Sequence, residues 1–306
     1  MNPPPFDPEL GAFLDTIAHL MGPPPTREQL PAAREPSPLQ PRPTDDELSR
    51  GGRFRISEDG PLLSCLPADA TGPVPVLYWI HGGGMILGDN RSGGLTQILD
   101  LVVDLPAAVV AVNYGLAPEH PHPEPVEDCY AGLQRVAELG LGPLIVAGRS
   151  AGGGLAAATV LLARDRGGPA IHAQMLLAPM LDDRNDSFSA RQLDGRGIWD
   201  RSANAFGWGC LLGDAAGGPD VSPYAAPARA TDLSGLPPAY LDVGSAETFR
   251  DEDVAYANAI WQAGGDAELH VWPGGFHGFD GFVPESRLAR RAWATRRDWL
   301  TGVLGR

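Results

Sequence analysis

The chain has 306 residues, 43% hydrophobic and 20% charged, the composition of an ordinary globular protein with one large α/β domain or two smaller ones. A net charge of −15 leaves nothing to neutralise phosphates, which argues against nucleic acid and mildly disfavours strongly anionic substrates. All 23 basic residues are arginine, so a Schiff-base lysine, a pyridoxal phosphate anchor and a P-loop lysine are excluded.

The chain opens on MNPPPFDPEL, which has neither the basic nor the apolar region of a secretory signal, and no later apolar run approaches the roughly 20 residues of a membrane span. Residues 1–50 hold 12 of the 31 prolines around two amphipathic stretches, Pro8–Met21 and Thr26–Ala33. Leu10, Phe13, Leu14 and Ile17 recur at helical spacing, which predicts short helices lying over another part of the molecule. Three strand-like runs follow, Arg53–Ser57, Leu62–Leu66 and Val74–Ile80, the first two separated by the turn signal Glu-Asp-Gly-Pro. Cys65, Cys129 and Cys210 are odd in number and lack a Cys-x-x-Cys pair, which reads as unpaired buried thiols in a cytoplasmic protein.

His81-Gly82-Gly83-Gly84 leaves the third strand, where three glycines make either a flexible loop or a place where backbone N–H groups face a ligand closely. Ala107–Val112 reads as a buried strand and Val126–Leu139 as a helix with Glu127 and Asp128 in its first turn. His120 and His122 stand between prolines without a ligand cluster nearby, so a metal site is not expected there. Residues 144–166, LIVAGRSAGGGLAAATVLLARDR, read as strand, sharp turn and helix, with Ser150 at the turn. Gly148 and Gly152 suit that elbow because a Cβ at either would meet the neighbouring strand or helix, and the helix N-terminus aims free N–H groups at whatever Ser150 attacks. The strand Ile171–Ala178 continues an alternation that signals a mostly parallel sheet covered on both faces. Asp182–Pro237, with Trp199, Trp208 and helical stretches near 202–212, interrupts it as an insertion over the sheet's carboxyl edge. The rhythm resumes with strand Ala239–Val243, helix Glu252–Gln262, strand Glu268–Val271 and helix Glu285–Val303.

A serine hydroxyl needs a base within hydrogen-bond reach to become a nucleophile. His270 lies inside a strand, whereas His277 lies just beyond it in the loop Pro-Gly-Gly-Phe-His-Gly-Phe at the edge where ligand chemistry gathers; His277 is the expected base. The carboxylate that orients it should follow the strand ending at Val243. Asp242 is too early, Asp251, Glu252 and Asp253 are expected to favour a helix N-terminus, and Glu247 stands in the loop as the choice. Oxyanion donors are expected from the N–H groups of Gly83, Gly84 and Ala151. His81 is expected to be a structural hydrogen-bonder of the glycine loop.

HGGG at 81–84, LAPEHPHPEPVED at 116–128, GRSAG at 148–152, GSAETFRDE at 244–252 and GGFHGF at 274–279 together resemble the hormone-sensitive-lipase-like group of α/β-hydrolases, the bacterial family IV esterases, from about residue 45 to the C-terminus. The resemblance implies an α/β-hydrolase fold, with a mostly parallel central sheet, helices on both faces and a helical cap built from residues 1–50 and an insertion near 185–220 of a catalytic domain spanning 51–306. It implies Ser150 as nucleophile, His277 as base, Glu247 as acid (more often Asp in the group) and an acyl-enzyme mechanism on short- to medium-chain carboxylic esters. No cofactor or metal is implied; the expected partner is a small-molecule ester, with neither nucleic acid nor membrane. Such enzymes often form homodimers through the outer edge strand, here near Glu268–Val271. Amidase, deacetylase or acyltransferase chemistry would use the same triad, and non-catalytic receptors on this fold lose the base that this chain keeps. Met85, Ile86 and Leu87 beside the glycine loop, with the aromatic residues of the cap, suggest an apolar pocket. Two positions depart from the group's pattern: Arg149 stands where Asp or Thr is usual, and Gly115 where Arg is usual. A linked exchange is expected, with Arg149 pairing to Glu119 or Asp128.

Overall fold

A computed structural model describes residues 2–36 and 42–305; Met1, residues 37–41 and Arg306, which the expected domain limits include, lie outside the described residues. The apolar runs become eight strands: β1 (Phe54–Asp59), β2 (Leu62–Pro67), β3 (Val76–Ile80), β4 (Ala108–Val112), β5 (Leu144–Arg149), β6 (Ala173–Leu177), β7 (Ala239–Gly244) and β8 (Ala267–Trp272). They form one sheet in the order β1-β2-β4-β3-β5-β6-β7-β8. β1 and β2 pair as a hairpin across the expected turn, and β2 runs antiparallel to β4. Every pairing from β4 to β8 is parallel. β3 begins at Val76 rather than Val74, because Pro75 has no N–H to give the ladder.

The helices are α1 (Pro8–Ile17), α2 (Leu30–Ala33), α3 (Asp45–Ser49), α4 (Leu95–Val102), α5 (Glu124–Glu138), α6 (Ala151–Arg166), α7 (Phe188–Gln192), α8 (Arg201–Leu212), α9 (Arg250–Gln262), α10 (Phe279–Phe282) and α11 (Arg287–Leu304). α4 has no counterpart among the predicted elements. It is only eight residues long, starts from a left-handed Gly94 without a side-chain cap and carries no acid in its first turn, so the usual start signals are missing. α11 starts two residues later than expected because the Ser286 hydroxyl accepts from the Ala289 N–H and fixes the N-cap there.

Alternation along each strand divides the apolar side chains between two faces. Tyr78, Ile80 and Val146 pack with α5, α6, α8 and α9, whereas Leu77, Trp79, Ala147 and Leu177 pack with α4 and the end of α11. α6 is buried nearly all round, as its apolar sequence requires. A third cluster joins Leu10, Leu14 and Ile17 of α1 to Trp272, Phe276, Phe279 and Leu288. The helix predicted at Pro8 thus lies on the segment after β8, held also by the Asp7 N–H donating to the Gly274 carbonyl at 3.0 Å. Cys65, Cys129 and Cys210 are free and buried in β2, α5 and α8, and burial pushes the Cys65 thiol up to about 12.

Candidate active site

In-register parallel pairing sets Ile80 opposite Gly148, Arg149 opposite Leu177, Leu177 opposite Asp242 and Gly244 opposite Trp272. The segments that follow β3, β5, β7 and β8 therefore leave the sheet at one edge. Ser150 sits between β5 and α6 with φ 57° and ψ −125°, a conformation unfavourable for a side chain and held from both sides. Its N–H donates to Leu177 O at 2.9 Å, and its carbonyl accepts from Gly154 and Met180. A Cβ on Gly152 would run into the carbonyls of Ile80 and His81, and one on Gly148 into Gly152 itself, so both glycines are required where the sequence placed them.

The structure brings Ser150, His277 and Glu247 together. His277 Nε2 lies 2.9 Å from Ser150 Oγ, and its Nδ1 lies 3.0 Å from Glu247 Oε1. Glu247 Oε2 accepts from the Gly244 N–H at 3.0 Å, which fixes the second oxygen. The Phe249 ring stands edge-on to the imidazole at 5.0 Å. Ser150 and His277 keep 6% and 9% exposure, while Glu247 is buried. His270, the rejected alternative, stays in β8 and pairs with Glu268 at 2.7 Å. Asp242 faces Arg296, Tyr240 and Trp272 instead.

The glycine loop lies against the elbow, since a Cβ on Gly82 would come within 3.3 Å of Ser150 Cβ. Gly83 and Gly84 have φ 119° and 62°, and among the described residues nothing accepts from the N–H of Gly83, Gly84 or Ala151. His81 does what was expected: its Nδ1 contacts Gly82 O at 2.8 Å, its ring stacks on Tyr114 at 4.2 Å, and burial pushes it down to about 4. Trp199, which the sequence placed only within the insertion, covers Gly84, and a Cβ there would strike its indole ring. Its carbonyl accepts from Thr248 Oγ1 at 2.8 Å, one residue from Glu247. Met85 and Ile86 are buried in the main core, and Leu87 is partly buried against it.

Arg149 pairs with Asp280, not with Glu119 or Asp128. Glu119 is held by Arg34 at 2.7 Å, and Asp128 Oδ2 accepts from the Gly115 N–H at 2.8 Å. The physical reason is strand alternation. Ala147 faces α4 and α11, so Arg149 points to that face, while α5, which carries Asp128, covers the other. The linked exchange with Gly115 is thereby overturned; the space beside Gly115 is filled by the His120 ring. Arg296 joins the same group, bonding Asp242 at 2.7 and 3.0 Å and also Asp280. Burial pushes the Asp280 carboxyl up, but the guanidinium groups of Arg149 and Arg296 outweigh it and hold it at about 2. These four buried charges escaped the sequence reading because they come from β5, β7, α10 and α11, with no local spacing to link them.

A family profile described as alpha/beta hydrolase fold matches residues 77–281. The chain is 38% identical to esterase LipI of Mycobacterium tuberculosis over 231 residues, covering 70% of this chain and 69% of that protein. It is 34% identical to carboxylesterase NlhH of the same organism over 299 residues, covering 92% and 90%. Among solved structures, a bacterial heroin esterase superposes with a TM-score of 0.83 at 37% identity, covering 98% of each chain. With that profile spanning most of the sheet and these relatives spanning most of the chain, the protein belongs to the hormone-sensitive-lipase-like esterases of the α/β-hydrolase fold.

Proposed function

We propose that this carboxylic ester hydrolase is a serine esterase that cleaves short- to medium-chain esters through an acyl-enzyme. The observation that carries the reading is the unbroken chain from Ser150 Oγ through the His277 ring to Glu247, with contacts of 2.9 and 3.0 Å. His277 Nε2 accepts the Ser150 proton as Oγ attacks the ester carbonyl, while Nδ1–H donates to Glu247 and the carboxylate stabilises the imidazolium. The tetrahedral oxyanion takes hydrogen bonds from the N–H groups of Gly83, Gly84 and Ala151, each contributing about 3 kcal/mol in the transition state. The intermediate collapses, the C–O bond to the alcohol breaks, and the alcohol leaves with the proton from His277. A water then gives its proton to His277 and attacks the acyl carbonyl, and collapse returns Ser150 and the carboxylic acid. No cofactor takes part in these steps.

Residues 1–50 and the insertion near 185–220 act as the cap. Contacts of α1 with the segment carrying His277, and of Trp199 with Gly84, support that assignment. Three buried free thiols suit a cytoplasmic setting, and among the described residues no helix is long and apolar enough to cross a membrane. β8 is the outer parallel strand and Val271 is exposed on it, which supports the homodimer contact near Glu268–Val271.

Hydrolysis of p-nitrophenyl esters from acetate to laurate tests the mechanism. Turnover should peak at short chains and fall by roughly 1,000-fold or more in Ser150→Ala and His277→Ala. Undiminished turnover in Ser150→Ala would refute it.

A further inference from the structure

Behind the triad, away from the glycine loop, lies the buried chain of alternating charge Arg149–Asp280–Arg296–Asp242. Arg149 immediately precedes Ser150. Asp280 follows His277 by three residues. Asp242 ends two residues before Gly244, whose N–H holds Glu247. The side chains of Asp280, Arg296 and Asp242 are 4%, 3% and 1% exposed, and that of Arg149 is 12%. Trp293 closes the group, with the guanidinium of Arg296 4.4 Å and that of Arg149 5.7 Å from its ring centre. A cavity of about 10 Å³ separates these charges from Glu247, lined by Arg149, Asp242, Glu247, Asp280 and Arg296. That is room for about one water, so the cluster and the Glu247 carboxylate border the same small gap, whose lining also includes Leu177, Val243 and Phe279.

Ion pairs this deep are poor general stabilisers, because desolvation offsets much of their attraction. What such a chain fixes is geometry, since every charge has one place where it is compensated. We infer that Arg149 and Asp280 are positioning residues: their pair ties the nucleophile elbow to the loop carrying His277 and, through Arg296, to the strand that presents Glu247. The inference rests on the proposed Ser150–His277–Glu247 triad. One salt bridge sets the spacing between Ser150 Oγ and His277 Nε2, and Asp280 with its two arginines sets the local field in which the imidazole takes up its proton.

The other ionisable groups facing this proton path are Glu247 on Nδ1 and, beyond it, Glu252 and Asp253 of α9. Burial pushes both α9 carboxyls up from their ordinary range, and neither is altered by substitutions at Arg149 and Asp280. Two substitutions of opposite charge effect therefore separate positioning from simple support. Arg149→Met removes a cation, favours imidazolium, and moves the acidic limb of the kcat/KM profile to higher pH; Asp280→Asn removes an anion and moves that limb to lower pH. Each shift should be about half a pH unit, as expected for single charges partly screened by the remaining network. Arg149→Met should also lower kcat roughly 10- to 100-fold with KM changed less than about twofold, and Arg149→Lys should restore the limb.

The experiment is a pH–rate profile on p-nitrophenyl acetate for parent, Arg149→Met, Arg149→Lys and Asp280→Asn, with Ser150→Ala as control and thermal melts alongside. Limbs displaced in opposite directions support the inference, even where the melting temperatures fall. Limbs that stay within about 0.1 unit, or that move the same way, overturn it. Should Arg149→Met not fold, Asp280→Asn decides by its sign alone, because the amide oxygen still accepts from both guanidinium groups. Activity surviving in Ser150→Ala would instead refute the triad and leave the salt bridge with no proton transfer to position.

Discussion

Asp253 shows how far a residue's role can depart from its local sequence context. In the first turn of α9, beside Asp251 and Glu252, it reads as one of three acids favoured by the helix dipole. In the fold it is completely buried, and neither carboxyl oxygen has a partner among the described residues. Burial, and next the nearby Glu252, push its carboxyl well above the usual range. Glu252 differs, since its Oε1 accepts from the N–H of Leu181 and Asp182 and so ties α9 to the segment after β6. For Asp253 the sign is that of a group whose folded state binds its proton more tightly. Its stability contribution is fully present below about pH 4 and is lost as pH rises, by up to about 1.4 kcal/mol per pH unit until the folded group ionises. Asp253→Asn is expected to melt higher than the parent at pH 8 and to lose that advantage at pH 4. Thermal melts at both pH values check this, and parallel curves would mean that the carboxyl is already ionised in the fold.

At the scale of elements, α1 is the one whose sequence pattern says most about the site. Its apolar positions predicted a helix lying over another surface, and that surface is the segment between β8 and α11. Leu10 is fully buried there, beside a cluster that includes Phe276, the residue before His277. Leu10→Ala should cost about 2–5 kcal/mol, and kcat should fall more than KM rises because the loop carrying His277, the proposed base, loses its backing. Urea melts and kinetics on one ester measure both, and loss of stability with unchanged kcat would show that α1 supports the fold without reaching the loop. The elements themselves were legible to the extent that they carry their own signals. β3 and β4 are continuous apolar runs, β6 is interrupted only by Gln174, and the elbow announces itself through Gly148 and Gly152, where a Cβ has no room. α4 lacked a cap and an acid, so its eight residues passed unnoticed. Ser150, His277 and Glu247 were legible because each falls in a loop directly after a recognisable strand. The Arg296–Asp242 pair was not, since 54 residues separate partners that only tertiary packing brings together.

At the scale of the whole molecule, the three thiols occupy three different layers: Cys65 on β2 of the hairpin side, Cys129 in α5 against the sheet, and Cys210 in α8 of the insertion. None is paired and all are buried, so a disulfide-exchange dye added to the native protein should react only as each layer opens. The protein thus carries its own reporters of partial unfolding, one per layer, without any introduced label. Single-cysteine versions, with the other two changed to Ala, should react in a fixed order, Cys210 first and Cys129 last. If all three react at one rate equal to that of global unfolding, the insertion does not open independently of the sheet. A faster Cys210 would make dye uptake a direct clock for opening of α8 away from the sheet, readable in the absence of substrate.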